Sequence, residues 1–198
     1  MIYFDNAATS YPKPTIVYNK MMQAMKEYGA NPGRSGHKLS LQAGRGVYET
    51  REIISKLFNI KNSMNVIFTS NCTESLNIGI KGLLGRGDHA ITTSMEHNSV
   101  LRPLRALQDF GVETTVIYGD KMGRINPEDI ERRIKKNTKL IVTTHISNLT
   151  GTILPIKSIG EIAKKHHIIY LVDAAQSAGV YNIDVENMNI DLLAFPGH

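Results

Sequence analysis

The sequence LIVTTHISNLTGTILPIKSIGEIAKKHHIIYLVDAAQ occupies residues 140–176 and contains a strand, a helix and a second strand in that order. Its two apolar runs, LIVTT at 140–144 and IIYLV at 168–172, are rich in β-branched side chains, and the segment between them is predicted to be helical at 156–166. Continuous apolar runs that alternate with helices are typical of parallel strands buried on both faces of a sheet. The stretch therefore predicts an α/β fold with a mostly parallel sheet.

The same alternation extends in both directions from this stretch, without an internal repeat, and the first 40 residues are rich in turn formers. Six runs are predicted as strands: Val66–Thr69, Ala90–Thr93, Glu113–Tyr118, Leu140–Thr144, Ile168–Val172 and Leu192–Phe195. Six segments are predicted as helices: Thr15–Tyr28, Leu39–Asn59, Glu74–Leu84, Ser99–Phe110, Pro127–Lys136 and Ile156–His166.

The composition is that of an ordinary globular protein. Of 198 residues, 41% are hydrophobic and 21% are charged, which excludes general disorder, and 16 Gly with 7 Pro exclude a collagen-like repeat. The net charge is +5, but basic clusters such as residues 131–136 have acidic neighbours, and Trp is absent. We therefore expect no nucleic-acid partner, and we interpret part of the positive charge as suited to an anionic small molecule.

Cysteine content and the first residues indicate an intracellular protein. The single cysteine, Cys72, excludes an internal disulfide, and no CxxC pair exists that could bind zinc. Asp5 stands where a secretory signal would have a basic segment, and no apolar run approaches the roughly 20 residues that span a bilayer. We expect a cytoplasmic protein with no metal site and no membrane contact.

Polar residues follow the predicted strands at the edge where α/β sheets bind ligands. Residues 69–75, TSNCTES, follow the first strand and open a helix. The N–H groups at this helix start, with the hydroxyls of Thr73 and Ser75, would suit a phosphate group. A helix cap formed by Thr73 or Ser70 would explain the same residues.

Three further residues follow later strands. His97 comes after the second strand, where it would face the cleft or lie on the surface. Asn148 belongs to SNLTG at 147–151, a pattern that a simple turn also favours. Asp173 comes directly after the fifth strand, where a carboxylate is costly unless it meets a cation or several donors. A protonated heteroaromatic nitrogen, an arginine or a helix N-terminus would each satisfy it.

Six motifs in one order together resemble the class V aminotransferase-like family of pyridoxal 5′-phosphate enzymes, in particular its cysteine desulfurase group. They are YFDNAAT (3–9), NPGRSGH (31–37), TSNCTES (69–75), EHNS (96–99), SNLTG (147–151) and DAAQS (173–177). In addition, FPGH at 195–198 is similar to the segment that leads into the cofactor lysine. The resemblance covers essentially the whole chain. It implies the large domain of aminotransferase fold type I at residues 16–198, with residues 1–15 joining the small domain of the complete enzyme.

The resemblance implies a bound pyridoxal 5′-phosphate whose phosphate group lies at the start of the third predicted helix. Thr73, with the backbone of Cys72 and Thr73, would hold the phosphate, and His198 would also reach it. Pro196 stands where the family often has Ser or Thr, and it offers neither a hydroxyl nor an N–H.

The other matched residues are implied to surround the pyridine ring of the cofactor. His97 would be the catalytic residue, stacking on the ring and transferring protons. Asp173 would pair with the protonated ring nitrogen, so that the ring acts as an electron sink. Asn148 and Gln176 would reach the side of the ring that carries the hydroxyl.

The implied reaction removes sulfur (or selenium) from cysteine (or selenocysteine) and gives alanine and an enzyme-bound persulfide. The family further implies a homodimer and a protein that accepts the sulfur. Cys72 is not the expected nucleophile, because the family has its cysteine on a loop far beyond residue 198. Two alternatives stay open: another class V transamination or lyase reaction on a small amino acid, and a truncated, non-catalytic module that binds a ligand or a partner.

The family has its cofactor lysine directly after the position of His198, the last residue of the sequence. Lys157, Lys164 and Lys165 fall on a predicted outer helix at the wrong end of the sheet and do not replace it. We therefore expect a fragment of an enzyme, inactive alone, that arises from truncation, proteolysis or a sequence interrupted at a modified lysine. A short protein without catalytic activity is the alternative. As a fragment, the chain would lack the strand that the family has between its first and sixth predicted strands.

Overall fold

The computed structural model describes residues 2–34 and 36–198, and the chain folds as two compact units. The first comprises the residues up to Ile67 together with His198, and the second comprises Phe68–Gly197. Ser35, which belongs to the motif at 31–37, lies outside the described residues. The expected domain boundary at residue 15 stays a prediction, because it concerns a second domain of a complete enzyme.

The first unit is helical. Helix α1 is Thr15–Glu27, helix α2 is Lys38–Leu57, and a 3-10 helix follows at Ser63–Asn65, so both predicted helices are confirmed. Ser63 Oγ donates to Glu52 Oε1 over 2.5 Å, which connects the 3-10 helix to α2 and lowers the pKa of Glu52.

The second unit contains a parallel sheet of five strands in the order β2-β1-β3-β4-β5. The strands are β1 His89–Thr93, β2 Glu113–Ile117, β3 Thr138–Thr144, β4 Ile169–Asp173 and β5 Leu192–Ala194. Its helices are α3 Cys72–Leu83, α4 Asn98–Gln108, α5 Pro127–Glu131 and α6 Ile156–Lys165. The predicted α/β fold with a mostly parallel sheet is therefore confirmed.

Two predicted elements differ from the structure. Residues 66–69 are irregular rather than a strand, and Ile67 is 70% exposed. A strand requires a neighbour that shares its hydrogen bonds in a ladder, and the ladders between the five described strands do not include residues 66–69. Helix α5 ends at Glu131, well before Lys136, because the next N–H groups turn back to carbonyls only three residues away, as from Arg133 to Ile130.

In the sheet unit, packing in the core brings the carboxyl end of β4 close to the first residues of α3 and α4. Leu171 of β4 packs in one buried cluster with residues of α3 and α4, among them Leu76 and Val100. Side chains alternate between the two faces of a strand, so Asp173, two residues after Leu171, lies on the α3 and α4 side. Thr144 of β3 is its partner in register.

Gly160, in the middle of α6, packs against the backbone of residues 188 and 189. A Cβ at this position would lie 1.9 Å from the carbonyl oxygen of Met188, and a backbone atom cannot move aside cheaply. We therefore expect Gly160→Ala to lower the free energy of unfolding by about 2 kcal/mol or more. Urea denaturation followed by circular dichroism measures this change.

Gly82→Ala is the matched control for that prediction. Gly82 is an exposed residue of α3, and a Cβ added there would meet no atom within 4 Å apart from the adjacent backbone of its own helix. Alanine is the better helix former, so this variant should gain up to about 1 kcal/mol. A Gly160→Ala variant as stable as Gly82→Ala would contradict the packing of α6 on residues 188 and 189.

Candidate functional site

Helix α3 begins with a cap that the sequence did not predict. Asn71 Oδ1 accepts a hydrogen bond from the Glu74 N–H over 2.9 Å. Glu74 in turn accepts one from the Ser70 N–H over 2.6 Å, and this bond lowers the pKa of its carboxyl group. The cap is therefore Asn71 rather than Thr73 or Ser70, and the Thr73 hydroxyl is left for another role.

The first N–H groups of α3 are suited to an anion. Among hydrogen bonds between described residues, none uses the N–H of Cys72 or Thr73. Ser75 Oγ, by contrast, lies 2.6 Å from Thr69 Oγ1, inside the turn. Unpaired N–H groups and the positive end of the helix dipole attract negative groups. Two N–H donors are thus available where the sequence predicts a phosphate site, while the Ser75 hydroxyl is already engaged; the site itself stays a prediction.

His97 caps α4 and connects it to α3. Its Nδ1 accepts a hydrogen bond from the Ser99 N–H over 3.1 Å. Ser99 Oγ lies 2.9 Å from the same nitrogen and 2.8 Å from Thr73 Oγ1. The imidazole is otherwise exposed at the carboxyl edge of the sheet. Ser99 is therefore the residue that joins the two candidate side chains Thr73 and His97, and the sequence had assigned it no role.

Asp173 is a buried carboxylate at the end of β4, with only 3% of its surface exposed. Its Oδ1 accepts a hydrogen bond from the Ala175 N–H over 3.0 Å, and the Cys72 thiol lies 3.7 Å away. Burial raises its pKa, an effect that the Ala175 N–H, the nearby His97 and the Cys72 thiol offset in part. No lysine or arginine in the described part of the chain forms an ion pair with it. The site therefore has a buried carboxylate that a cationic ring nitrogen would suit.

Cys72 is a partly buried free thiol. Burial, together with the neighbouring Asp173 carboxylate, raises the pKa of the thiol to about 12. The thiolate is the nucleophilic form of cysteine, so this environment keeps Cys72 unreactive. The expectation that Cys72 is not a nucleophile stays a prediction, which the raised pKa of the thiol supports.

Alkylation tests this environment directly. At pH 8 the raised pKa leaves about a thousandfold less thiolate than a free cysteine has, while the more basic thiolate reacts about 30-fold faster. We expect the folded chain to react with iodoacetamide about 30-fold more slowly than the chain in urea. Intact mass against time measures both rates, and equal rates would contradict the buried contact with Asp173.

Asn148, Gln176 and His198 are the other residues that the sequence predicted for the site. Asn148 is exposed in the turn after β3, which an antiparallel bridge between Ile146 and Ile153 closes. Gln176 is half-buried in the turn that follows Asp173. His198 is exposed and belongs to the first unit. The contacts expected from these three residues stay predictions.

Glu96 is a buried carboxyl group that belongs to the motif at 96–99 but had no role assigned from the sequence. It is 8% exposed; its Oε1 accepts a hydrogen bond from Thr93 Oγ1 over 2.5 Å, and its Oε2 has no partner among the described residues. Burial raises its pKa to about 8, and the charge of Asp173 adds to this, against the effect of Thr93 and the Thr144 backbone. An acidic residue three positions after a buried strand is the signal that could have identified it.

His145 is a second buried polar group near the same strand ends. It is 6% exposed, and its Nδ1 has no hydrogen-bond partner among the described residues. Tyr181 contacts its ring edge-on at a centroid distance of 6.0 Å. Burial lowers the pKa of its imidazole.

Residues 2–34 and 36–198 contain neither a candidate metal site nor a helix that could span a membrane. No group of three or more His, Cys, Asp or Glu residues there could hold a metal ion. None of the helices there is both long enough and apolar enough to cross a membrane.

Comparison with curated proteins shows relatives along the whole chain. It is 40% identical over all 198 residues to a probable cysteine desulfurase of Methanothermobacter thermautotrophicus, of which it covers 49%. It is 37% identical to the cysteine desulfurase IscS of Dictyoglomus turgidum, with 100% of this chain and 50% of the relative covered. The chain thus spans about half the length of the curated relatives it matches.

Solved structures agree with this result. The apo structure of a cysteine desulfurase from Thermococcus onnurineus superimposes with a TM-score of 0.92 at 39% identity, covering 100% of this chain and 50% of that one. A structure described as SspA in complex with cysteine matches with a TM-score of 0.92 at 35% identity, covering 100% and 57%. The model of the family described as aminotransferase class-V matches residues 2–198. The chain therefore belongs to the aminotransferase class-V family.

Proposed function

We propose that this chain forms the cofactor-binding part of a cysteine desulfurase. The observation that carries the proposal is the buried Asp173, which has no ion pair with a described lysine or arginine and lies beside the start of α3. The relatives named cysteine desulfurase and the neighbour solved with cysteine support the substrate. The proposed reaction is cysteine plus an enzyme thiol giving alanine plus an enzyme persulfide, in which the carbon–sulfur bond breaks and a sulfur–sulfur bond forms.

The donor set fits pyridoxal 5′-phosphate. Asp173 would hold the ring nitrogen, and the N–H groups of Cys72 and Thr73 would hold the phosphate, with the Thr73 hydroxyl beside them. Bound there, the cofactor would supply an electron sink for breaking bonds at the amino acid. The family's further contacts by Asn148 and Gln176 are part of the proposal.

Each of these residues has a separate task in the proposal. The Asp173 carboxylate keeps a proton on the ring nitrogen, because an anion in a buried position stabilises a neighbouring cation strongly. His97, exposed at the same edge, presents its imidazole to the ring. The thiol of Cys72 stays protonated against Asp173. The cysteine that accepts the sulfur is therefore a different one, in the remainder of the enzyme.

The larger assembly is also part of the proposal. We regard the chain as the N-terminal part of a longer enzyme, since it spans about half of its relatives. A cytoplasmic homodimer with the cofactor lysine after His198, and an acceptor protein for the sulfur, follow from the same family.

Product analysis tests the proposed function. The protein purified from its own cells, supplied with pyridoxal 5′-phosphate, a reductant and L-cysteine, should release sulfide and alanine in equal amounts. L-serine is the control, since a lyase of broader substrate range would consume it as well. Sulfide with pyruvate in place of alanine would contradict desulfuration. Intact mass of the same sample shows whether the natural protein is longer than 22.0 kDa.

A further inference from the structure

His97 is held in place through one ring nitrogen. Its Nδ1 accepts the hydrogen bond from the Ser99 backbone N–H, over 3.1 Å. A backbone N–H only donates, so Nδ1 must offer its lone pair. Neutral imidazole has a single N–H, and in His97 this N–H must therefore be on Nε2.

The Ser99 side chain makes a second contact with the same nitrogen. Ser99 Oγ lies 2.9 Å from His97 Nδ1 and 2.8 Å from Thr73 Oγ1. Because Nδ1 is an acceptor, the consistent hydrogen assignment has Thr73 donating to Ser99, and the Ser99 hydroxyl sharing the single Nδ1 lone pair with the Ser99 N–H. Ser99 is 8% exposed, so solvent has little access to these two bonds.

We propose that Ser99 is a positioning residue that fixes His97 as its Nε2–H tautomer and sets the plane of its ring. His97 then offers the site an N–H donor and an aromatic face rather than a base, because its lone pair is already engaged. A proton accepted at Nδ1 would displace the Ser99 N–H and remove the cap of α4. The resemblance implies that His97 transfers protons; in this arrangement it offers a proton at Nε2 and does not accept one at Nδ1. Its catalytic meaning rests on the proposed function, whereas the tautomer is a property of the chain itself.

The chain contains an internal reference for this arrangement. His37 caps α2 in the same way, since its Nδ1 accepts from the Ser40 N–H over 3.2 Å. The Ser40 hydroxyl, however, donates to the Asn31 carbonyl oxygen over 2.9 Å. His37 therefore has the backbone contact on Nδ1, while the hydroxyl of its serine is directed elsewhere.

Nuclear magnetic resonance of the imidazole nitrogens tests the proposal. The seven histidines of the chain are labelled with 15N, and His97→Asn and His37→Asn variants assign the two signals in a long-range 1H–15N spectrum. We expect both neutral rings to carry their proton on Nε2. A His97 ring that carries its proton on Nδ1 would overturn the proposal, and this result needs no folded variant at Ser99.

Two substitutions separate the contributions of Ser99. Ser99→Ala removes only the hydroxyl, so the tautomer should persist while the Nδ1 resonance of His97 moves toward that of His37. Ser99→Pro also removes the N–H, at the second position of the first helical turn, where this N–H has no partner within the helix. In this variant the two tautomers should both be populated. Unchanged Nδ1 resonances in both variants would overturn the role of Ser99. No cofactor is present in these experiments, so failure of the proposed function would not produce either result.

Discussion

Replacing Asp173 with Asn is expected to lower the affinity of the chain for pyridoxine 5′-phosphate by two to three orders of magnitude, and at the same time to stabilise the unliganded chain. This alcohol analogue cannot react with lysines, so its binding reports the site alone. Loss of a buried charged partner typically costs about 2–5 kcal/mol of binding free energy. Isothermal titration calorimetry at pH 7 measures the affinity.

The stability effect of this variant has the opposite sign for a physical reason. Burial raises the pKa of Asp173, so ionising it costs stability, and that loss grows as the pH rises above the usual value of 3.8. Asparagine cannot ionise, yet its amide oxygen can still accept from the Ala175 N–H. Asp109→Asn, at an exposed position, is the control and should change neither quantity. Unchanged affinity in Asp173→Asn would contradict the proposed partner of the ring nitrogen.

Glu96→Gln is expected to stabilise the chain in alkaline solution by an amount on the order of 5 kcal/mol. The pKa of Glu96 is raised from 4.5 to about 8. Between these values the unfolded chain loses the proton and the folded chain keeps it, so the wild type loses stability as the pH rises through this window. Each pH unit of the window is worth about 1.4 kcal/mol. Glutamine does not ionise, and its amide oxygen can still accept from Thr93, so the loss should disappear.

Urea denaturation at pH 5, 7 and 9 measures this difference. The difference between variant and wild type should be small at pH 5 and largest at pH 9. Other buried groups also have shifted pKa values, namely Asp173, Cys72, His145 and Tyr170, but they are common to both proteins. Glu161→Gln, on the exposed side of α6, supplies the surface control. If the free energy of unfolding changed with pH by the same amount in Glu96→Gln and in the wild type, the pKa of Glu96 would not be raised, and the prediction would be wrong.

Much of the fold was predictable because it depends on local patterns. The apolar runs of β3 and β4 on either side of α6 specify parallel strands by themselves, since only a sheet covered on both faces buries such runs completely. Asp173 could be selected for the same reason, as a charge directly after five apolar residues. The segment 66–69 has the same composition but is not a strand, because pairing depends on a neighbour that composition cannot reveal.

The connections within the site were harder to predict because they join residues that are distant in sequence. The bond between Thr73 and Ser99 depends on how α3 and α4 pack, and no spacing pattern indicates it. The cap at Asn71 was missed because four neighbouring residues of the turn have side chains able to cap, and only the backbone path selects one. The pKa of Glu96 depends on burial, which appears only when the turn after β1 is folded.

The proposed function requires that the carboxyl edge of the sheet binds the cofactor. Amide chemical shifts of the 15N-labelled chain, recorded while pyridoxine 5′-phosphate is added, measure this binding residue by residue. We expect saturable shifts at the amides of Cys72 and Thr73, at the start of α3, and of Ala175, which donates to Asp173. Absence of shifts at these three amides, with or without shifts elsewhere in the chain, would show that the ligand does not bind at this edge.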